Sequence, residues 1–198
     1  SSDRTGGSRT RAAHAAGRPD PPTGARQVPI YQTTSFVFED TADAADLFAL
    51  QKYGNIYTRI ANPTVASFEE RVASLEGAMG AVAASSGMAA ELMTIVCLAG
   101  AGDHVVSSPA LYGAPPTLFD VTLRRLGIET TFVDPADPKA FAAAVRPETK
   151  LLYTEIVANP SGTVADIAAL ADVAHAEEPP LVIDSTLATP YLCRAIEH

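Results

Sequence analysis

Residues 149–186 read "TKLLYTEIVANPSGTVADIAALADVAHAEEPPLVIDST". The stretch opens on a strand, "TKLLYTEIVANP", which ends in a turn. A helix follows, "TVADIAALADVAHAEE", and then a second short apolar strand, "PLVIDST". Strand, helix and strand in that order make a crossover unit, and a crossover of this length leaves the two strands parallel. The second strand runs straight into Asp184, Ser185 and Thr186. A carboxylate at the end of an apolar strand calls for a partner or a task.

Upstream, the alternation continues. "GAVAASSG" reads as a short buried strand into a turn, "MAAELMTIVCLA" as a helix, and "DHVVSS" as a strand. "APPTLFDVTLRRLG" is a helix ended by Gly127, "IETTFVD" a strand and "PKAFAAAVR" a helix. Repeated alternation at this spacing predicts an α/β fold, a mainly parallel sheet with helices on both faces. Further back, "NPTVASFEERVASLEG" opens a helix with Pro63 in its first turn and closes it with Gly77. Val65, Phe68, Val72 and Leu75 fall on one face of it. "TADAADLFAL" is a helix with Thr41 as its cap. Residues 28–38, "VPIYQTTSFVF", are strand-like but carry Pro29, so an extended arm on another surface is an equal reading. Residues 1–26 are rich in Gly, Ser, Arg and Pro without apolar periodicity, and are expected to form a disordered arm.

The 198 residues allow one large domain. A net charge of −9 gives a nucleic-acid partner little electrostatic support. Cys97 and Cys193 have no CxxC spacing and lie in apolar contexts, which predicts buried free thiols in a reducing compartment. No apolar run reaches membrane-spanning length, and the N-terminal arginines lack the apolar stretch of a secretory signal. Cytoplasmic residence is expected.

In parallel sheets ligands gather outside the carboxyl ends of the strands. The polar clusters fall there: Ser85-Ser86-Gly87, Ser107-Ser108, Asn159 and Asp184-Ser185-Thr186. "SSGM" places the N–H groups of Gly87 and Met88 at a helix N-terminus, where free donors and the dipole favour a phosphate. The alternative is a plain turn with serine caps. Asp184 could hold a protonated ring nitrogen or cap the following helix. Tyr112 could stack on a flat ligand or cover the core. Tyr57 and Arg59 form a phenol–guanidinium pair suited to a phosphate, or a surface pair on a loop. Asn159-Pro160 is a turn signal with Glu155 close by. The four histidines show no metal or triad spacing.

Taken together, "YTRIANPT", "EGAMGAVAASSGMAA", "GDHVVSSPALYG", "TEIVANPSG" and "VIDSTLATPYLCRAIEH" resemble the Cys/Met-metabolism family of pyridoxal-phosphate enzymes, proteins of fold type I. The resemblance covers residues 28–198. It implies pyridoxal 5'-phosphate as cofactor, with Gly87 and Met88 on its phosphate and Tyr112 stacked on its ring. Asp184 would pair with the ring nitrogen, Asn159 would lie near the ring's phenolic oxygen, and Thr186 would belong to the pocket wall. Tyr112 and Asp184 are the implied catalytic residues. Tyr57 and Arg59 would reach the phosphate of a neighbouring subunit, within an extended segment over residues 27–60. The active site would then be shared in a homo-oligomer, a dimer or tetramer. Residues 61–198 would be the N-terminal part of the large cofactor-binding domain.

"RIANPT", "FEERVASLEG", Val157 in place of a proline and the closing "TLATPYLCRAIEH" look most like the O-acetylhomoserine sulfhydrylase branch. The implied activity is γ-replacement on O-acetylhomoserine with sulfide or a thiol. Cystathionine γ-synthase or methionine γ-lyase activity, or an inactive interaction fragment, are the alternatives. Ala114 and Ser185 depart from the family's usual Gly and Asn, which leaves room for a different substrate. The family's lysine lies beyond Asp184, and Lys52, Lys139 and Lys150 do not match its context. The expectation is therefore the N-terminal part of a longer enzyme.

Overall fold

The computed structural model describes residues 7–109 and 117–198. The chain divides into two compact units, with the boundary between Ala83 and Ala84.

The second unit is built on a four-stranded sheet in the order β2-β1-β3-β4. The strands are β1 (His104–Ser107), β2 (Glu129–Phe132), β3 (Thr149–Glu155) and β4 (Leu181–Asp184). Every pair is parallel. The helices are α4 (Gly87–Leu98), α5 (Leu118–Leu123, wound as a π-helix), α6 (Pro138–Ala144), α7 (Ile167–Glu177) and the short α8 (Thr189–Leu192). The predicted α/β class holds, and both faces of the sheet are covered. Because side chains alternate across a strand, the apolar runs feed two separate cores. Val105, Leu151 and Tyr153 pack with Ile95, Leu118, Phe119 and Leu123, and Met88, Leu92 and Val182 lie against them. Val106 and Leu152 pack with Phe141, Ile167, Leu170 and Ala174 on the opposite face, beside Leu181 and Ile183.

Two expectations need correction. "GAVAASSG" forms no strand: residues 81–84 are irregular and Val82 is exposed, because no described strand offers that segment a ladder partner. The thiols are free, but Cys97 is exposed and Cys193 half-buried. Cys97 lies on α4, whose Ile95 is buried while Met93, Val96 and Leu98 face outward. An apolar helix can hide only the side it turns to the sheet.

The first unit holds α1 (Ser8–His14), α2 (Thr41–Phe48) and α3 (Pro63–Glu76). The segment expected to be disordered thus contains a helix. The Arg11 guanidinium donates to the Ser74 carbonyl, and Arg71 Nε donates to the Ala15 carbonyl at 3.0 Å. These contacts depend on residues some sixty positions away, which local composition does not register. The α2 cap is Asp40, whose carboxylate accepts from the Asp43 N–H at 2.8 Å, not Thr41. Asn62 caps α3, and Gly77 closes it in the left-handed conformation at φ 80°. On the apolar face of α3, Phe68 is 60% exposed and Val65 39%, whereas Val72 and Leu75 are half-buried. Residues 28–38 form no strand, and a single antiparallel bridge joins Ser35 to Tyr57.

Candidate active site

The strand register decides which polar groups meet. Glu155 is level with Asp184 across the β3–β4 pair, and Ser107 is level with Tyr153 across β1–β3. The carboxyl ends of three strands therefore share one rim. By the same alternation, Tyr153, Glu155, Val182 and Asp184 point to the face that α4 covers. The helix after β1, α5, packs on one sheet face and the helix after β3, α7, on the other, so a topological switch point lies between these neighbouring strands.

At this rim Asp184 is fixed by its own turn. Its Oδ1 accepts from the Thr186 N–H at 2.8 Å and from the Thr186 hydroxyl at 2.6 Å. The Asp184 carbonyl accepts from the Ile156 N–H at 3.0 Å, which ties the turn to the end of β3. Glu155 is buried, and its carboxylate accepts from the Asn159 N–H at 3.1 Å, holding Asn159 beside the rim. The Asn159–Pro160 peptide is cis. Ser107 and Ser108 are buried outright.

The N-terminus of α4 follows the expected pattern. Ser86 caps it by accepting from the Ala89 N–H at 3.1 Å. The N–H groups of Gly87 and Met88 have no acceptor among the described residues. A Cβ on Gly87 would meet nothing within 4 Å, so the approach to these donors is open. Tyr112 lies outside the described residues.

Two groups that sequence reasoning passed over belong here. Glu91 is the only acid in α4, one turn along from Gly87, and it faces Tyr153, Asp184 and Glu155. Burial raises its pKa to about 7, with the Asp184 and Glu155 charges adding to the rise and the Tyr153 phenol opposing it. Tyr153 is 1% exposed, and its phenol is pushed well above the ordinary value, first by burial and then by the Glu91 and Asp184 charges. Tyr153 Oη and Glu91 Oε2 are both buried and lack a hydrogen bond of good geometry. The signal available in the sequence was a lone acid inside "MAAELMTIVCL".

The lysines of this unit lie elsewhere. Lys150 is the second residue of β3, at the opposite end of the sheet, 3.9 Å from Asp103. Lys139 is the second residue of α6, which follows β2, with β1 and β3 between that strand and β4. His104 marks the opposite rim: fully buried, it bridges Thr149 Oγ1 and Thr131 Oγ1 at 2.8 Å each, and burial lowers its pKa. In the first unit, the Arg59 guanidinium lies 5.6 Å from the centre of the Tyr57 ring, and both residues are exposed. Lys52 is paired there with Asp43.

A family model described as Cys/Met metabolism PLP-dependent enzyme matches residues 9–198. The chain belongs to this family. An O-acetyl-L-homoserine sulfhydrylase from Corynebacterium glutamicum is 52% identical, over 96% of this chain and 44% of that protein. One from Leptospira meyeri is 46% identical, over 96% and 43%. A Campylobacter jejuni structure described as an O-acetylhomoserine (thiol)-lyase, with a pyridoxyl-lysine phosphate, superposes with a TM-score of 0.94 at 35% identity. That superposition covers 98% of this chain and 48% of the other. The chain thus spans somewhat less than half the length of the relatives it matches.

The family's cofactor asks for a carboxylate at its ring nitrogen and for donors at its phosphate. The rim offers both kinds: the fixed Asp184 carboxylate, and the open N–H groups of Gly87 and Met88. Among the described residues, no group of three or more His, Cys, Asp or Glu is placed to hold a metal ion. No described helix is long and apolar enough to cross a membrane.

Proposed function

We propose that the whole protein is a pyridoxal-phosphate-dependent transferase that replaces the acetoxy group of O-acetylhomoserine with sulfide or a thiol. The γ-carbon–oxygen bond breaks, a γ-carbon–sulfur bond forms, and acetate leaves. The observation that carries this reading is the clamped Asp184 carboxylate on the sheet face covered by α4, the helix whose first N–H groups are free. Likeness to O-acetylhomoserine sulfhydrylases supports the choice of substrate.

In this reading Gly87 and Met88 bind the cofactor phosphate through their N–H groups, helped by the helix dipole. Asp184 holds the ring nitrogen as a cation, and Thr186 keeps that carboxylate turned by donating twice to one oxygen. Asn159, held by Glu155, hydrogen-bonds the ring oxygen, and Tyr112 stacks on the ring. When bound, pyridoxal phosphate supplies an electron sink for the charge left when the substrate's α-proton departs. Tyr57 and Arg59 reach the phosphate of a second copy of the chain, so the working unit is a homo-oligomer. A reducing cytoplasm suits the two free thiols.

The test is acetate release from O-acetyl-L-homoserine by the whole protein with sulfide or methanethiol present. Stoichiometric acetate and a new thioether or thiol are expected. Cofactor binding without acetate release overturns the substrate assignment.

A further inference from the structure

His104 opens β1 at the rim opposite the candidate active site and is shielded from solvent altogether. Its ring reaches both neighbouring strands. Nδ1 lies 2.8 Å from the Thr149 hydroxyl at the start of β3, and Nε2 lies 2.8 Å from the Thr131 hydroxyl in β2. Strand β2 stands at the edge of the sheet with β1 as its ladder partner, so the imidazole ties it a second time. Thr149 Oγ1 already accepts from the Arg146 N–H at 2.9 Å. Among the described residues, the Thr149 hydroxyl proton meets no acceptor except His104 Nδ1. Nδ1 therefore accepts, and the ring proton sits on Nε2 and is donated to Thr131. A doubly protonated ring donates from both nitrogens and leaves the buried Thr149 proton with no acceptor.

We propose that His104 is an acid-released clamp: its neutral form, protonated on Nε2, ties the edge strand β2 and the start of β3 to β1, and proton uptake frees β2. The charged groups that act on the ring come from β2 and from the turn before β3. They are Glu129, Arg146 and Glu148, and Arg146 is paired with both glutamates. Burial is the largest influence and favours the neutral ring, Arg146 acts in the same direction, and the glutamates oppose both. Arg146 holds Glu129 below the ordinary glutamate range, so Glu129 keeps its charge while the imidazole titrates. The clamp needs nothing from the cofactor reading.

Nitrogen-15 NMR of the histidine rings in the full chain, combined with amide exchange, tests it. At neutral pH the His104 proton should be on Nε2, and the ring should titrate below 6.5. The Glu129 and Val133 N–H groups, which donate to β1-side carbonyls at 2.9 Å, report the opening of β2. Corrected for intrinsic exchange, their opening should rise by up to about tenfold per pH unit below 6.5 and level off below the folded-state midpoint. His104→Gln removes the titrating ring and should flatten that dependence. Thr131→Val cuts the tie to β2 alone and should flatten it too, so either variant decides if the other fails to fold. A ring proton on Nδ1, a midpoint at or above 6.5, or β2 protection that stays constant as pH falls overturns the proposal.

Discussion

Asp184 and Glu91 carry the same functional group in different surroundings. Thr186 donates two hydrogen bonds to the Asp184 carboxylate, whereas Glu91 Oε2 is buried without a hydrogen-bond partner. The stability consequence has a definite sign. Glu91 binds its proton more tightly in the fold than in the unfolded chain, so the folded state holds more protons between pH 4.5 and about 7. Stability contributed by this group is therefore present below pH 4.5 and lost as pH rises through about 7. Thermal melts of wild type and Glu91→Gln should accordingly diverge over this window. The wild-type midpoint should fall relative to the variant as pH rises, and parallel curves would show that Glu91 titrates normally. Tyr153, beside it, titrates far above this range and does not contribute there.

At the scale of elements, turns matter as much as strands. The α5–β2 connection passes through Gly127 at φ 79°, where a Cβ would come 3.0 Å from the Ala101 Cβ. Gly127→Ala should cost about 1–2 kcal/mol, since an L side chain is strained in that conformation and has no free space. A urea melt should show a lower midpoint with an unchanged slope. A midpoint equal to wild type would mean that the turn relaxes. The sequence marked Gly127 and Gly77 as helix ends because glycine tolerates left-handed backbone. It did not mark Asp40, because Thr41 is equally acceptable as a cap and only the backbone path chooses between them. It misread "GAVAASSG" for a related reason: apolar residues permit a strand, but pairing requires a neighbour.

At the scale of the whole molecule, the proposed site is divided between copies of the chain. If Tyr57 and Arg59 serve the partner's phosphate while Asp184 serves its own, the lesions Arg59→Ala and Asp184→Asn complement each other. Each variant alone should be nearly inactive. Unfolding and refolding an equal mixture should give mixed dimers with one intact site, restoring about a quarter of wild-type activity by the statistics of a symmetric dimer. Recovery no greater than the sum of the separate variants would place Arg59 in the same copy's site or in none. The exposed stacking of Arg59 on Tyr57 gives both groups a common direction in which to act.

Local sequence determined the order of strands and helices, their parallel arrangement and the strand ends that carry polar residues. Periodicity and turn residues act over a few positions, and these properties need nothing more. The motifs that mark the family were legible too, with Asp184, Thr186, Gly87 and Met88 among them. Only tertiary structure buried Glu91 near Tyr153 and so raised its pKa to about 7. It also tied His104 to two threonines on neighbouring strands and docked the arginine-rich N-terminal segment as a helix. Those outcomes depend on register between distant segments and on how burial weakens the solvation of charge, and neither is written in the spacing of nearby residues.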